Sequence, residues 1–150
     1  MKVFLDSMLI VFLTFPQGSE EKDLSERIME EAKLERFMSI LSIQEYIGSI
    51  HRIAKIVLEP EIYLRMADEL LRGLLMHEET PVKFVSLDSP SILLRSRELR
   101  EMGLSLNDSL IVSTAEKMGT GLITTDEEIL EKAYRIKVEL YTPQKILKLF

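Results

Sequence analysis

Val3-Phe4-Leu5-Asp6 sets a β-branched residue, an aromatic and a leucine directly before a carboxylate. The triplet reads as a short buried strand that ends at Asp6. Its apolar character is continuous rather than alternating, as in a strand covered on both faces. The apolar stretch runs on to Phe15, interrupted only by Asp6, Ser7 and Thr14, and Asp6 is the only charge between Val3 and Phe15. That stretch is too short to cross a bilayer. It lacks a small-residue cleavage site and carries an internal charge, so it reads as folded structure of a soluble, cytoplasmic protein.

Outward from this strand, Met8 to Phe15 reads as a short helix stopped by Pro16 and Gly18, and a second helix begins at Ser19 with Leu24, Ile28 and Ala32 on one face. Phe37-Met38-Ser39-Ile40-Leu41 reads as a second strand. Ser42 then opens a helix striped by Ile43, Ile47, Ile50, Ala54 and Val57. Glu61 to His77 is a helix with a wide apolar face, broken at Thr80-Pro81. A third strand is expected over Val82–Leu87 and a helix over Ser89–Met102. Another helix is expected over Asn107–Met118, a fourth strand over Leu122–Thr124 and a helix over Glu127–Ala133. Ile136–Leu140 supplies a fifth strand, and Pro143 starts a last helix, Gln144–Phe150. The alternation of strand and helix predicts an α/β fold with a mostly parallel five-stranded sheet covered on both faces.

At 150 residues the chain has the length of one domain, residues 1–150. Its 46% hydrophobic and 29% charged residues describe a globular composition. Cys 0 excludes disulfides, thiolate zinc sites and cysteine catalysis, and fits a reducing compartment. Lys+Arg 19 against Asp+Glu 25 gives a net charge of −6. That balance argues against a module that simply coats a polyanion. Bound cations would reverse the sign locally.

Ligands of parallel sheets sit beyond the carboxyl ends of the strands. Four acids follow strands or open the adjoining helices: Asp6, Glu45, Asp108 and Asp126. Each also has an ordinary reading. Asp6 can cap the next helix, where burial otherwise makes its charge costly. Ser42-Ile43-Gln44-Glu45 and Ser105-Leu106-Asn107-Asp108 both match a capping box, and Asp126 suits a helix cap. Asp108 lies about 60° from Ile111 on a helical wheel, at the edge of the apolar stripe. Only the convergence of all four rises above these single-residue explanations.

In these segments the chain resembles the PIN-domain nucleases, and especially the ribonuclease toxins of VapBC toxin–antitoxin pairs. The resemblance is carried by Val3-Phe4-Leu5-Asp6-Ser7, by Leu41-Ser42-Ile43-Gln44-Glu45, by residues 106–115 and by Leu122-Ile123-Thr124-Thr125-Asp126. It covers essentially the whole chain in order. It implies a three-layer α/β/α PIN-like sandwich and metal-binding catalytic acids at Asp6, Glu45 and Asp108. A fourth acid falls at Asp126, with Thr124 as the hydroxyl residue that precedes it. It further implies a Mg²⁺ or Mn²⁺ cofactor, an RNA substrate, a cognate antitoxin and a homodimer. Oxygen ligands suit these ions, which grip a phosphate and activate a bound water.

Rival readings are a PIN-fold RNA-processing nuclease outside a toxin–antitoxin system, a non-catalytic RNA- or protein-binding module, and an aspartate phosphotransfer domain. Asp6-Ser7-Met8 lacks the second Asp of that last class. No P-loop or dinucleotide fingerprint is present. His51 and His77 read as ordinary helical residues. Arg95, Arg97 and Arg100 make a basic helix face that could line a nucleic-acid path.

Overall fold

The computed structural model describes residues 1–76, 82–87 and 89–150. Among these residues five strands form one sheet: β1 (Lys2–Leu5), β2 (Glu35–Ser39), β3 (Val82–Val85), β4 (Gly121–Ile123) and β5 (Leu140–Tyr141). Their order is β3-β2-β1-β4-β5 and every pairing is parallel. β1 lies at the centre, with Val3 level with Arg36 of β2 and with Gly121 of β4. From β1 the chain first adds strands on one side and then returns to the other. The carboxyl ends of β1 and β4 therefore flank the switch point where open parallel sheets leave a crevice.

Side chains alternate across each strand, and the core divides accordingly. Val3, Leu5, Met38, Val82, Ile123 and Tyr141 face one way. There they meet α1 (Met8–Phe12), α2 (Glu20–Glu30), α3 (Ile40–Ala54), α4 (Pro60–Met76) and α8 (Pro143–Leu147). Phe4 and Leu122 face the other way, against α5 (Pro90–Glu101), α6 (Leu106–Met118) and α7 (Glu127–Glu131). This is the expected three-layer α/β/α sandwich, with its sheet wholly rather than mostly parallel.

Several boundaries differ from the sequence reading. The second strand spans Glu35–Ser39 rather than 37–41, because Ser39, the last residue paired with β3, also caps α3 and accepts from the backbone N–H groups of Leu41 and Ser42. Ser42 is therefore not the cap. It is buried, its hydroxyl has no partner among the described residues, and Glu45 lies in the second turn rather than in a capping box. The buried face of α3 carries Ile43, Tyr46, Ile50 and Ala54, whereas Ile47 is exposed and Val57 lies past the helix. β3 stops at Val85. β5 is shorter and later than expected, because a 3-10 turn at Ala133–Arg135 takes up the chain before Leu140 pairs with Leu122. α1 ends at Phe12 rather than Phe15. The expected end of α4 at His77 and the break at Thr80-Pro81 lie outside the described residues.

α5 and α6 are tied together by polar contacts. Arg95 forks onto Glu116, with Nε to Oε2 at 2.7 Å and Nη2 to Oε1 at 3.0 Å, and Glu116 also accepts from the backbone N–H of Lys137. Ser96 and Ser109 share a buried hydroxyl pair at 2.8 Å.

Candidate active site

The carboxylate of Asp6 follows directly from the local chain. β1 ends at Leu5, and the backbone N–H of Asp6 continues the ladder to Ile123 at 3.1 Å, so the residue is held at the crevice between β1 and β4. Its side chain is 5% exposed. Thr124 Oγ1 donates to Oδ2 at 2.6 Å and Ser7 Oγ donates to Oδ1 at 3.2 Å. α1 has no side-chain cap, so helix capping does not explain Asp6. Burial pushes its carboxyl up to about 6, opposed by the two hydroxyl donors and reinforced by the negative charges of Glu45 and Asp108.

Asp108 opens α6. Ser105 caps that helix by accepting from the Asp108 backbone N–H at 3.1 Å, and its hydroxyl donates to Asp108 Oδ2 at 2.5 Å. The capping reading therefore holds, yet the Asp108 carboxyl is still raised. Burial is the main cause, against the Ser105 hydrogen bond, and the charges of Asp126 and Glu128 add to it. Asp126 is the cap of α7, its Oδ1 accepting from Ile129 N–H at 3.1 Å. Thr124 links two of the acids: its hydroxyl donates to Asp6 and accepts from the backbone N–H of Asp126 at 3.0 Å. Glu45 is half-buried on α3.

All four acids line one cleft of about 450 Å³ at the carboxyl edge of the sheet. Ser7, Gln44, Asn107 and, along α3, Gly48, Ser49 and Arg52 share its wall. The α3 residues were legible as a polar face, since positions 45, 48, 49 and 52 recur at helical spacing. Arg95, Arg97 and Arg100 do not reach this cleft. Arg95 is locked onto Glu116 and Glu98, and Arg97 pairs with Glu101. His51 is exposed on α3, its ring nitrogen near Ile47 O at 2.8 Å.

Among the described residues, no three acid or histidine side chains are gathered tightly enough to hold an ion as they stand. The four carboxylates form an open cleft rather than a closed cage. Their chemistry nevertheless fits a hard divalent cation. All are oxygen donors, and the most buried one is held against a field of its own sign that such a cation would relieve.

A parallel three-layer sandwich with a crevice at its switch point is an open α/β fold of the kind that binds its ligands beyond the carboxyl ends of the strands. The PIN domain family model matches residues 3–136, and the chain belongs to that family. Comparison with curated protein sequences gives no match. Among solved structures, PAE2754 from Pyrobaculum aerophilum is 17% identical, with 99% of this chain and 88% of that chain aligned at a TM-score of 0.69. FitAcB from Neisseria gonorrhoeae is 17% identical over 95% of this chain and 98% of that one, at a TM-score of 0.64. VapC20 from Mycobacterium tuberculosis, described as a sarcin–ricin-loop-cleaving toxin, is 13% identical over 86% and 93% of the two chains, at 0.62. At these identities the likeness is one of fold.

Proposed function

We propose that this chain is a metal-dependent ribonuclease that hydrolyses RNA phosphodiester bonds and serves as the toxin of a toxin–antitoxin pair. The observation that carries the proposal is the meeting of Asp6, Glu45, Asp108 and Asp126, distant in the chain, in one cleft. Membership of the PIN family supports nuclease chemistry. Several neighbours are toxin–antitoxin complexes, including one from Klebsiella pneumoniae, which supports an antitoxin partner. A homodimer is part of the same reading. Among the described residues no helix is long and apolar enough to cross a membrane.

Asp6 and Asp108 are the direct ligands in this reading. Glu45 binds through water or orients the attacking water, and Asp126 holds a second, weaker ion. When bound, Mg²⁺ or Mn²⁺ supplies a water of lowered pKa and neutralises charge on the phosphate. The protein's part is positioning. The Thr124 and Ser7 hydroxyls fix both oxygens of Asp6, and the Ser105 hydroxyl fixes one oxygen of Asp108. Four carboxylates are concentrated in one cleft of a chain whose net charge is −6, so the ions also make that cleft tolerable to a polyanion.

Purified protein is expected to cleave single-stranded RNA with Mn²⁺ or Mg²⁺ and to stop on chelation. Calorimetric titration with Mn²⁺ should give heat that is lost in Asp108→Asn. A folded Asp6→Asn protein that cleaves as fast as the parent would overturn the assignment.

A further inference from the structure

The cleft that holds the four acids has a single cationic side chain in its wall among the described residues, Arg52. Arg52 follows Glu45 by seven residues on α3, which places it about 10 Å further along the helix axis on the same face. Among the described residues Arg52 makes no ion pair, with Glu45 or with any other acid. Its Nη2 donates instead to Ser49 Oγ at 2.9 Å. Its Nη1 lies 3.8 Å from the point where a Cβ on Gly48 would stand. The guanidinium is thus laid back along the helix over a residue without a side chain, and Ser49 steadies it there. Arg52 is exposed, so most of its five donors remain available.

We propose that Arg52 grips an RNA backbone phosphate beside the scissile one and so sets the strand in register with the acids. The inference rests on the nuclease reading above. A lone arginine at the rim of an acidic cleft, engaged by a hydroxyl and not by a carboxylate, keeps its planar fork for an oxyanion. A phosphate contact of this kind orients a strand without reading its sequence.

The experiment uses the full chain, a fluorescein-labelled single-stranded RNA oligonucleotide and Mn²⁺. Arg52→Ala should raise KM about tenfold while kcat and the calorimetric affinity for Mn²⁺ stay at parental values. The slope of log KM against log salt should become shallower by about 0.7, one phosphate contact on a single strand. Arg52→Lys should restore the salt slope but only part of the KM, since it returns the charge without the fork, and full recovery of KM by lysine would overturn the forked grip. An unchanged KM and salt slope in Arg52→Ala would overturn the phosphate grip and leave the nuclease reading intact. A fall in kcat at constant KM would overturn it too, by assigning Arg52 to the chemical step. A parental protein inert toward RNA with Mn²⁺ would overturn the nuclease reading, and this inference with it.

Discussion

Asp6→Asn is expected to kill the nuclease and, without metal, to stabilise the protein. Asp6 is buried, and its carboxyl is raised from 3.8 to about 6 by burial first and then by Glu45 and Asp108. The rise is equivalent to about 3 kcal/mol for holding the charge in the folded state at neutral pH. The sign follows from linkage. Below about 4 the carboxyl is protonated in both folded and unfolded chains and imposes no penalty. As pH climbs through the folded value, stability is lost, and above about 6 to 7 the full penalty applies. Asparagine removes the charge but turns one acceptor into a donor, so either the Thr124 or the Ser7 hydrogen bond is lost at about 1 kcal/mol. The net gain at pH 8 is about 2 kcal/mol, or about 4–8 °C in Tm for a chain of this size. The assay is thermal unfolding of both proteins with chelator at pH 4.5, 6 and 8, repeated with saturating Mn²⁺. The advantage of the variant should grow with pH, and Mn²⁺ should reverse the ranking, because the ion stabilises only the parent by mass action. A variant less stable than the parent at pH 8 with chelator, or a difference independent of pH, would refute this electrostatic account of the cleft.

Thr124→Val keeps the shape of a fully buried side chain but strips a donor from Asp6 and an acceptor from the Asp126 backbone. It should lower stability by about 1–3 kcal/mol, weaken Mn²⁺ binding and move the acid limb of the cleavage–pH profile upward, all readable by calorimetry and initial rates. Ser39→Ala should cost about 1 kcal/mol as loss of the α3 cap, whereas Ser42→Ala, removing a hydroxyl without a partner, should be nearly neutral in urea unfolding. Arg95→Ala should destabilise by about 2–4 kcal/mol at pH 7 by stranding Glu116. Arg95 and the Lys137 backbone hold the Glu116 carboxyl below its ordinary 4.5 despite burial, so that stability is present above 4.5 and lost as pH falls through the folded value. The deficit of Arg95→Ala should therefore shrink in acid.

The fold was legible wherever an apolar run was both continuous and bounded. Val3-Phe4-Leu5 and Leu122-Ile123 are such runs, and they became the central pair of the sheet. The edge strands were harder. β5 pairs at only two positions, and its apolar character at 136–138 goes instead to packing Ile136 and Val138 after a 3-10 turn. The start of α3 was misplaced because two serines three residues apart both satisfy the text of a cap. Only the ladder between β2 and β3, which ends the strand at Ser39, decides between them. The four acids were legible as residues that follow strands, and their common cleft is a matter of topology. Arg52 carried no sequence motif, and its interest arises only once α3 is laid along the cleft.

Capping and function are usually weighed as alternatives for an acid at a helix start, but here they coexist. Asp126 caps α7 and Asp108 sits in the cap of α6, and both still line the cleft. A cap fixes one face of a carboxylate and the backbone beneath it, while leaving lone pairs directed outward. Asp6 differs in kind: among the described residues its carboxylate accepts from hydroxyls and from no backbone N–H, it is the most buried of the four, and burial pushes its carboxyl up. A carboxylate that serves no cap and weakens the metal-free protein is explained by what it would bind. The acids in the helix caps form the scaffold of the cleft, and Asp6 is the acid whose charge the cation of the proposed function would relieve.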